Sequence, residues 1–174
     1  MHAITRQSHQ TGFSYLDVMI AMTILLIGIL TLGAALTSAL VQTTSGENQL
    51  RAKALAATTL ENVMAARNVK IGANSYSFES IQNTTAPPGV FLTGRHDIFE
   101  TPGADGLFGT ADDSATGAVQ VPGFQREIVI ENVDNPRRPS PPNPITERRI
   151  VVTVYYGDKG IERLERLSTN VANY

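Results

Sequence analysis

Between Val18 and Gly46 the sequence carries no charged residue, and Val18–Val41 is 24 residues of mostly Ile, Leu, Val, Met and Ala. At about 1.5 Å per residue such a helix is ~36 Å long, against a hydrocarbon core of ~30 Å. The concentration is local: residues 13–41 hold 21 apolar residues of 29, and residues 68–174 hold 38 of 107. A helix apolar on every side needs cover on every side. The polar remainder has too few apolar side chains to supply it, so a core helix of a soluble domain is set aside in favour of a membrane span. A secretory signal peptide fits poorly too, because its apolar region is only ~7–15 residues and ends at a small-residue cleavage site.

Here the helical pattern runs on instead. Leu50, Ala54, Ala57, Leu60 and Met64 recur at spacings of three and four, with Glu47, Arg51, Lys53, Glu61 and Arg67 between them, and no Pro occurs before Pro87. The expectation is one helix from Ser14 to Arg67, about 80 Å long, apolar all round in its first half and on that one face in its second. Residues 1–12 are polar and free of acids, with Arg6 as the single firm positive charge, which places this end on the cytoplasmic side. One acid, Asp17, stands just inside the apolar run. Two readings of it stand side by side: a charge with a partner inside the membrane or assembly, and an acid favoured by the dipole of the first helical turn.

Gly12-Phe13-Ser14-Tyr15-Leu16-Asp17-Val18-Met19-Ile20-Ala21, followed by an uncharged apolar helix, resembles the N-terminus of type IV prepilins and type II secretion pseudopilins. The likeness covers roughly residues 6–45. It implies cleavage after Gly12 by a prepilin peptidase, N-methylation of the new terminus at Phe13, and extraction from the inner membrane into a filament through contacts between the N-terminal helices of other pilins or pseudopilins. Asp17 would stand where the family has Glu, one methylene shorter. In a dry filament core its carboxylate could neutralise the amine of a neighbour's Phe13, a pairing far stronger there than in water. The absence of Cys and the Asp lean toward a minor subunit. Pilus and secretion pseudopilus both remain open.

The remainder reads as β structure. Tyr76–Ile81 alternates like a short strand, and Gln125–Val133 and Arg148–Tyr156 are rich in β-branched residues. Gly157-Asp158-Lys159-Gly160 signals a tight turn, so Ile161–Val171 is read as the returning strand of a hairpin, although Ile161, Leu164, Leu167 and Val171 also suit a helix. Residues 135–144 contain five Pro in ten and form an extended connector or a Pro-rich recognition segment. The expected fold class is α+β: leader 1–12, spanning or assembly half 13–46, amphipathic half 47–70, and a β-rich head 71–174.

The most chemical-looking stretch is Asp97–Asp113, with Asp97, Glu100, Asp105, Asp112 and Asp113, three Gly and no Lys or Arg. Oxygen ligands on a Gly-rich loop are what Ca²⁺ takes, and a cation would relieve the self-repulsion. The spacing does not fit an EF-hand, but it looks like Asp/Gly calcium loops, and some pseudopilins carry Ca²⁺ in a similar loop. A solvated acidic loop is the preferred reading, with calcium on Asp105, Asp112 and Asp113 as the alternative.

Enzymatic function is not expected. His2 and His9 lie in the leader, which leaves His96, in an expected loop, and there is no GxSxG, HExxH or Walker pattern. Without Cys there is no thiolate nucleophile and no thiolate metal site. Loss of Arg6 would leave 13 basic against 16 acidic side chains, a charge of −3, so this subunit alone is not expected to capture nucleic acid. The expected role is a structural subunit, held in the inner membrane by one pass with its C-terminal domain periplasmic, then carried to a surface pilus or periplasmic pseudopilus. The rival from another class is a permanently anchored periplasmic binding module, calcium-dependent if the acidic loop takes the ion.

Overall fold

The structure, a computed structural model, describes residues 12, 14–68, 70–71, 74–85, 88–115, 117–134 and 146–173. The leader before Gly12, Phe13 and the Pro-rich segment 135–144 lie outside the described residues. One α-helix, α1 (Tyr15–Ala65), is followed by a 3-10 turn, Ala66–Asn68. Then come β1 (Lys70–Ile71), β2 (Asn74–Ser75), a second 3-10 turn (Phe78–Ser80), β3 (Arg95–Phe99), β4 (Gln120–Asn132), β5 (Glu147–Asp158) and β6 (Ile161–Ala172). The fold class is α+β, as expected. The chain divides into two compact units, Met1–Thr44 and Ser45–Tyr174.

The first unit is helical and uncovered. Every large apolar side chain described from Tyr15 to Val41 is solvent-exposed, and the helix is long and apolar enough to cross a membrane. Its threonine hydroxyls bond back to the helix itself. The hydroxyls of Thr23, Thr31 and Thr37 donate to carbonyls of the preceding turn, at 2.8, 2.9 and 3.0 Å. That satisfies these hydroxyls within the helix itself.

In the second unit β3, β4, β5 and β6 form an antiparallel sheet in sequence order, and β1 and β2 pair separately. The β4–β5 register runs from Phe124↔Tyr156 to Asn132↔Arg148, and β5–β6 from Asp158↔Ile161 to Glu147↔Ala172. The second hairpin turns on Lys159 and Gly160, with φ of 54° and 79°. Two left-handed residues in a two-residue loop match the twist of the flanking strands. The hairpin reading of the C-terminus therefore holds, and its helical alternative does not.

Alternation puts Phe124, Ile128, Ile150, Val152, Val154 and Tyr156 on the buried face, in one cluster with α1. The helix contributes Ala52, Ala56, Thr59 and Val63, followed by Ala66. This corrects the expected face. Leu60 and Met64 only flank the core and Leu50 is 69% exposed. The sheet already supplies bulky β-branched and aromatic side chains, so the helix packs best through its small residues.

Two further expectations change. Tyr76–Ile81 is not a strand: Phe78, Ser80 and Ile81 are all buried, which period-two alternation cannot do, and the segment coils into the Phe78–Ser80 turn. His96 lies in β3, paired with Arg126, so the acidic stretch begins as strand and loops only after Phe99. A register shift between Asp97 and Phe99 marks that exit.

Candidate functional site

The helix start is the first candidate. Gly12 is exposed, and a Cβ there would meet nothing within 4 Å. Ser14 precedes the first helical residue. Its Oγ accepts the Leu16 N–H at 3.4 Å, its carbonyl accepts the Asp17 N–H at 2.9 Å, and its own N–H donates to Asp17 Oδ2 at 3.2 Å. This is a reciprocal capping arrangement with Asp in the third helical position. Within a single chain Asp17 thus does what an acid in the first turn does best: it satisfies an orphan N–H and complements the helix dipole.

The acidic stretch is the second candidate, and it is a closed hydrogen-bonded loop. Asp105 Oδ1 accepts the Leu107 N–H at 2.8 Å, and its Oδ2 accepts the Tyr76 hydroxyl at 3.4 Å. Asp112 accepts the Asp105 N–H at 3.0 Å and the Thr110 hydroxyl at 2.7 Å. Asp113 Oδ2 accepts the Gly109 N–H at 2.6 Å and Arg126 Nη2 at 2.9 Å, while Oδ1 takes the Gly103 N–H at 3.3 Å. Asp97 and Glu100 are exposed and stand apart from this set, with Asp97 accepting from Gln125 at 3.1 Å. A Cβ at Gly103 would lie 2.3 Å from the Asp112 carboxyl carbon, so any larger residue there would displace that carboxylate from its place in the loop.

Arg126, on β4, supplies the positive charge the stretch itself lacks. It is 3% exposed, bonds Asp113 and the Thr59 hydroxyl of α1, and lies 5.5 Å from the Phe108 ring centre. Burial lowers its pKa, opposed by the Asp113 charge and hydrogen bond. Burial also raises Asp105 above the usual carboxylate value against its Leu107 and Thr110 hydrogen bonds, with Asp112 and Asp113 adding to the rise. Asp112 moves the other way: burial would raise it, but donors from Thr110 and neighbouring backbone outweigh that and lower it. The loop is also sewn to α1 by Asn62, whose amide donates to Gly106 O at 3.2 Å and accepts the Phe108 N–H at 2.8 Å.

Among the described residues no group of three or more His, Asp or Glu is arranged to hold a metal ion. Asp105, Asp112 and Asp113 lie close in the fold as the sequence suggested, but their oxygens already serve N–H, O–H and guanidinium donors. A cation among them would meet Arg126. The donor set does not fit a calcium cage.

Three structural anchors were missed in the sequence. Arg148 donates to the carbonyls of Phe78 and Ile81, to Asn132 Oδ1 and to Glu79, which fixes the 3-10 turn. Asn83 bonds Ile128 O at 2.8 Å and the Ile130 N–H at 2.9 Å, standing in for a strand beyond Arg95, where β3 begins. Arg126 is the third. The signal for both arginines was parity: Arg126 shares its strand face with Ile128 and Ile130, and Arg148 with Ile150 and Val152. A charge in an apolar period-two register is a buried charge awaiting a partner.

Comparison with protein-family models, with curated proteins and with solved structures gives no match to this chain.

Proposed function

We propose that the chain is a minor type IV pilin-like structural subunit rather than an enzyme. It is anchored in the inner membrane by residues 13–46, with its β-rich domain periplasmic. It is cleaved after Gly12, methylated at Phe13, and drawn by its helix into a filament. One observation carries this reading: an uncovered apolar helix starts three residues after an exposed Gly12 and continues unbroken into a segment built into a β domain. Such a helix needs lipid or other helices around it over its whole apolar length. Asp17, which caps its own helix in the isolated chain, is the one charge available in that run to meet a neighbour's Phe13 amine. In a dry assembly, loss of either partner would strand a charge.

The test is coexpression with an active prepilin peptidase, read by intact mass. The expected product is shorter by residues 1–12, and Gly12→Leu blocks the shortening. No side chain or backbone crowds Gly12, so that block would report on the peptidase and not on folding. An unchanged mass beside a peptidase that cleaves its own pilin would overturn the reading in favour of a permanently anchored binding module.

A further inference from the structure

We propose that β6 is a self-association edge, pairing antiparallel with β6 of a second copy about a two-fold axis through Leu164. This rests on the sheet and is independent of the processing reading.

Among the described residues the sheet order leaves one side of β6 without a strand partner. The twelve residues of β6 contain no Pro, no Lys and no register shift against β5; of the usual devices that block an edge it carries only charge, in Glu162, Arg163, Glu165 and Arg166, and those charges alternate in sign so that a second copy can match them. Which backbone groups face outward follows from three bonds. The two-residue loop makes Asp158↔Ile161 the closing pair of the hairpin. Asn173 N–H reaches Thr146 O on the β5 side at 2.8 Å. Ala172 O points the other way and is taken by Arg67 at 3.3 Å. Odd-numbered residues therefore bond β5, and even-numbered ones present N–H and C=O to the open edge.

The sequence Ile161-Glu162-Arg163-Leu164-Glu165-Arg166-Leu167 complements itself in that phase. With the axis on Leu164, Glu162 faces Arg166 of the second copy, Arg163 faces Glu165, Ile161 faces Leu167, and the two Leu164 side chains meet. Glu162, Leu164 and Arg166 form the hydrogen-bonded pairs, as the outward phase requires. Moving the axis to Glu162, Arg163, Glu165 or Arg166 sets two like charges directly opposite each other, which is destabilising. Among the axes within Ile161–Leu167, the Leu164 axis is the one that sets each Glu opposite an Arg.

Two observations agree. Ile161 and Leu164 are 63% and 51% exposed, two of the five large apolar side chains exposed among the described residues of 45–174; this pairing would cover both. The charged side chains are also held in place along the strand by bonds within the chain: Glu162 by Arg95 at 2.6 Å, Arg163 by Asp158 at 3.0 Å, Glu165 by Gln49 at 2.8 Å, and Arg166 by Thr153 at 3.3 Å. Less side-chain freedom is then lost on pairing.

The experiment uses the full chain in detergent micelles and in vesicles. With no native Cys, Leu164→Cys introduces a single thiol at the axis, where facing Cβ atoms lie about 5 Å apart. Mild oxidation is expected to yield a disulfide dimer, whereas Ser168→Cys on the same exposed edge, whose opposite position falls in the hairpin turn, stays monomeric. Adding Arg166→Glu to Leu164→Cys abolishes the cross-link, as does adding Glu162→Arg. Mixing these two differently tagged charge variants restores it as a heterodimer. Equal cross-linking at 164 and 168 would overturn the proposal, as would failure of the mixture to pair while both charge variants keep their sheet signal in circular dichroism. Should a charge variant not fold, the comparison of the two Cys variants decides alone, since neither side chain is buried.

Discussion

Replacing Asp113 by Asn should cost the β domain ~3–5 kcal/mol, the usual penalty for removing one member of a buried ion pair. Both side chains are almost wholly buried, 3% and 6% exposed, and the pair closes at 2.9 Å. Three donors converge on the Asp113 carboxylate: Arg126 and the N–H groups of Gly109 and Gly103. Asn keeps one acceptor oxygen, puts N–H hydrogens where the other was, and leaves the guanidinium of Arg126 buried without a counter-charge. Against a typical domain stability of ~5–15 kcal/mol that is a large loss. With a urea slope of ~2 kcal/mol/M, a loss of ~4 kcal/mol lowers the midpoint by about 2 M.

The assay is urea unfolding of the full chain in micelles, followed by tyrosine fluorescence, since the chain has no Trp and Tyr76, Tyr155 and Tyr156 all lie in the β domain. Glu79→Gln provides the contrast. Its partner Arg148 is as buried as Arg126, but Glu79 is 57% exposed and Arg148 keeps its bonds to two carbonyls and Asn132. That change should stay within ~1 kcal/mol. The double variant Arg126→Met/Asp113→Asn should recover part of the single loss, because the stranded charge is gone. If Asp113→Asn costs no more than Glu79→Gln, or if the double variant is worse than Asp113→Asn alone, the reasoning from burial is refuted.

The orientation of α1 makes a paired prediction: Ala56→Leu, at a position with no exposed surface, should destabilise by ~1–3 kcal/mol through overpacking, and Leu50→Ala should change folded stability by less than ~0.5 kcal/mol. Thermal melts that ranked these two the other way would restore the face anticipated from spacing. Asp105 has a folded pKa above its unfolded value, so its stabilising contribution is fully present below the unfolded value and is lost as pH rises through the folded one; Asp112, lowered, contributes stability that is present above its unfolded value and lost as pH falls through its folded one. Asp105→Asn should therefore remove a loss of stability on the rising-pH side, measured as urea midpoints from the carboxylate range to neutrality, and curves parallel to the unsubstituted chain would refute this.

By itself the sequence determined the elements with a long, regular signal. An uncharged stretch from Val18 can only be an uncovered or lipid-facing helix, because burying it would take apolar partners the rest of the chain does not have. The β-branched runs at 125–133 and 148–156 and the Gly157–Gly160 turn specify strands and a hairpin from local chemistry alone. What tertiary structure decided was everything that depended on a partner distant in sequence. The buried face of α1 is Ala52, Ala56 and Val63 because the bulk of the sheet beneath it leaves room only for small residues. Phe78–Ser80 is a turn because Arg148, almost seventy residues away, binds the carbonyls of Phe78 and Ile81. The acidic stretch read as a solvated loop, or else a cation site, because its counter-charge is not in it: Asp105 and Asp113 are buried, Arg126 reaches Asp113 from β4, and Asn62 holds the loop from the helix. A row of carboxylates is legible in sequence, but the donors that satisfy them come from other elements and appear only when the sheet and helix meet.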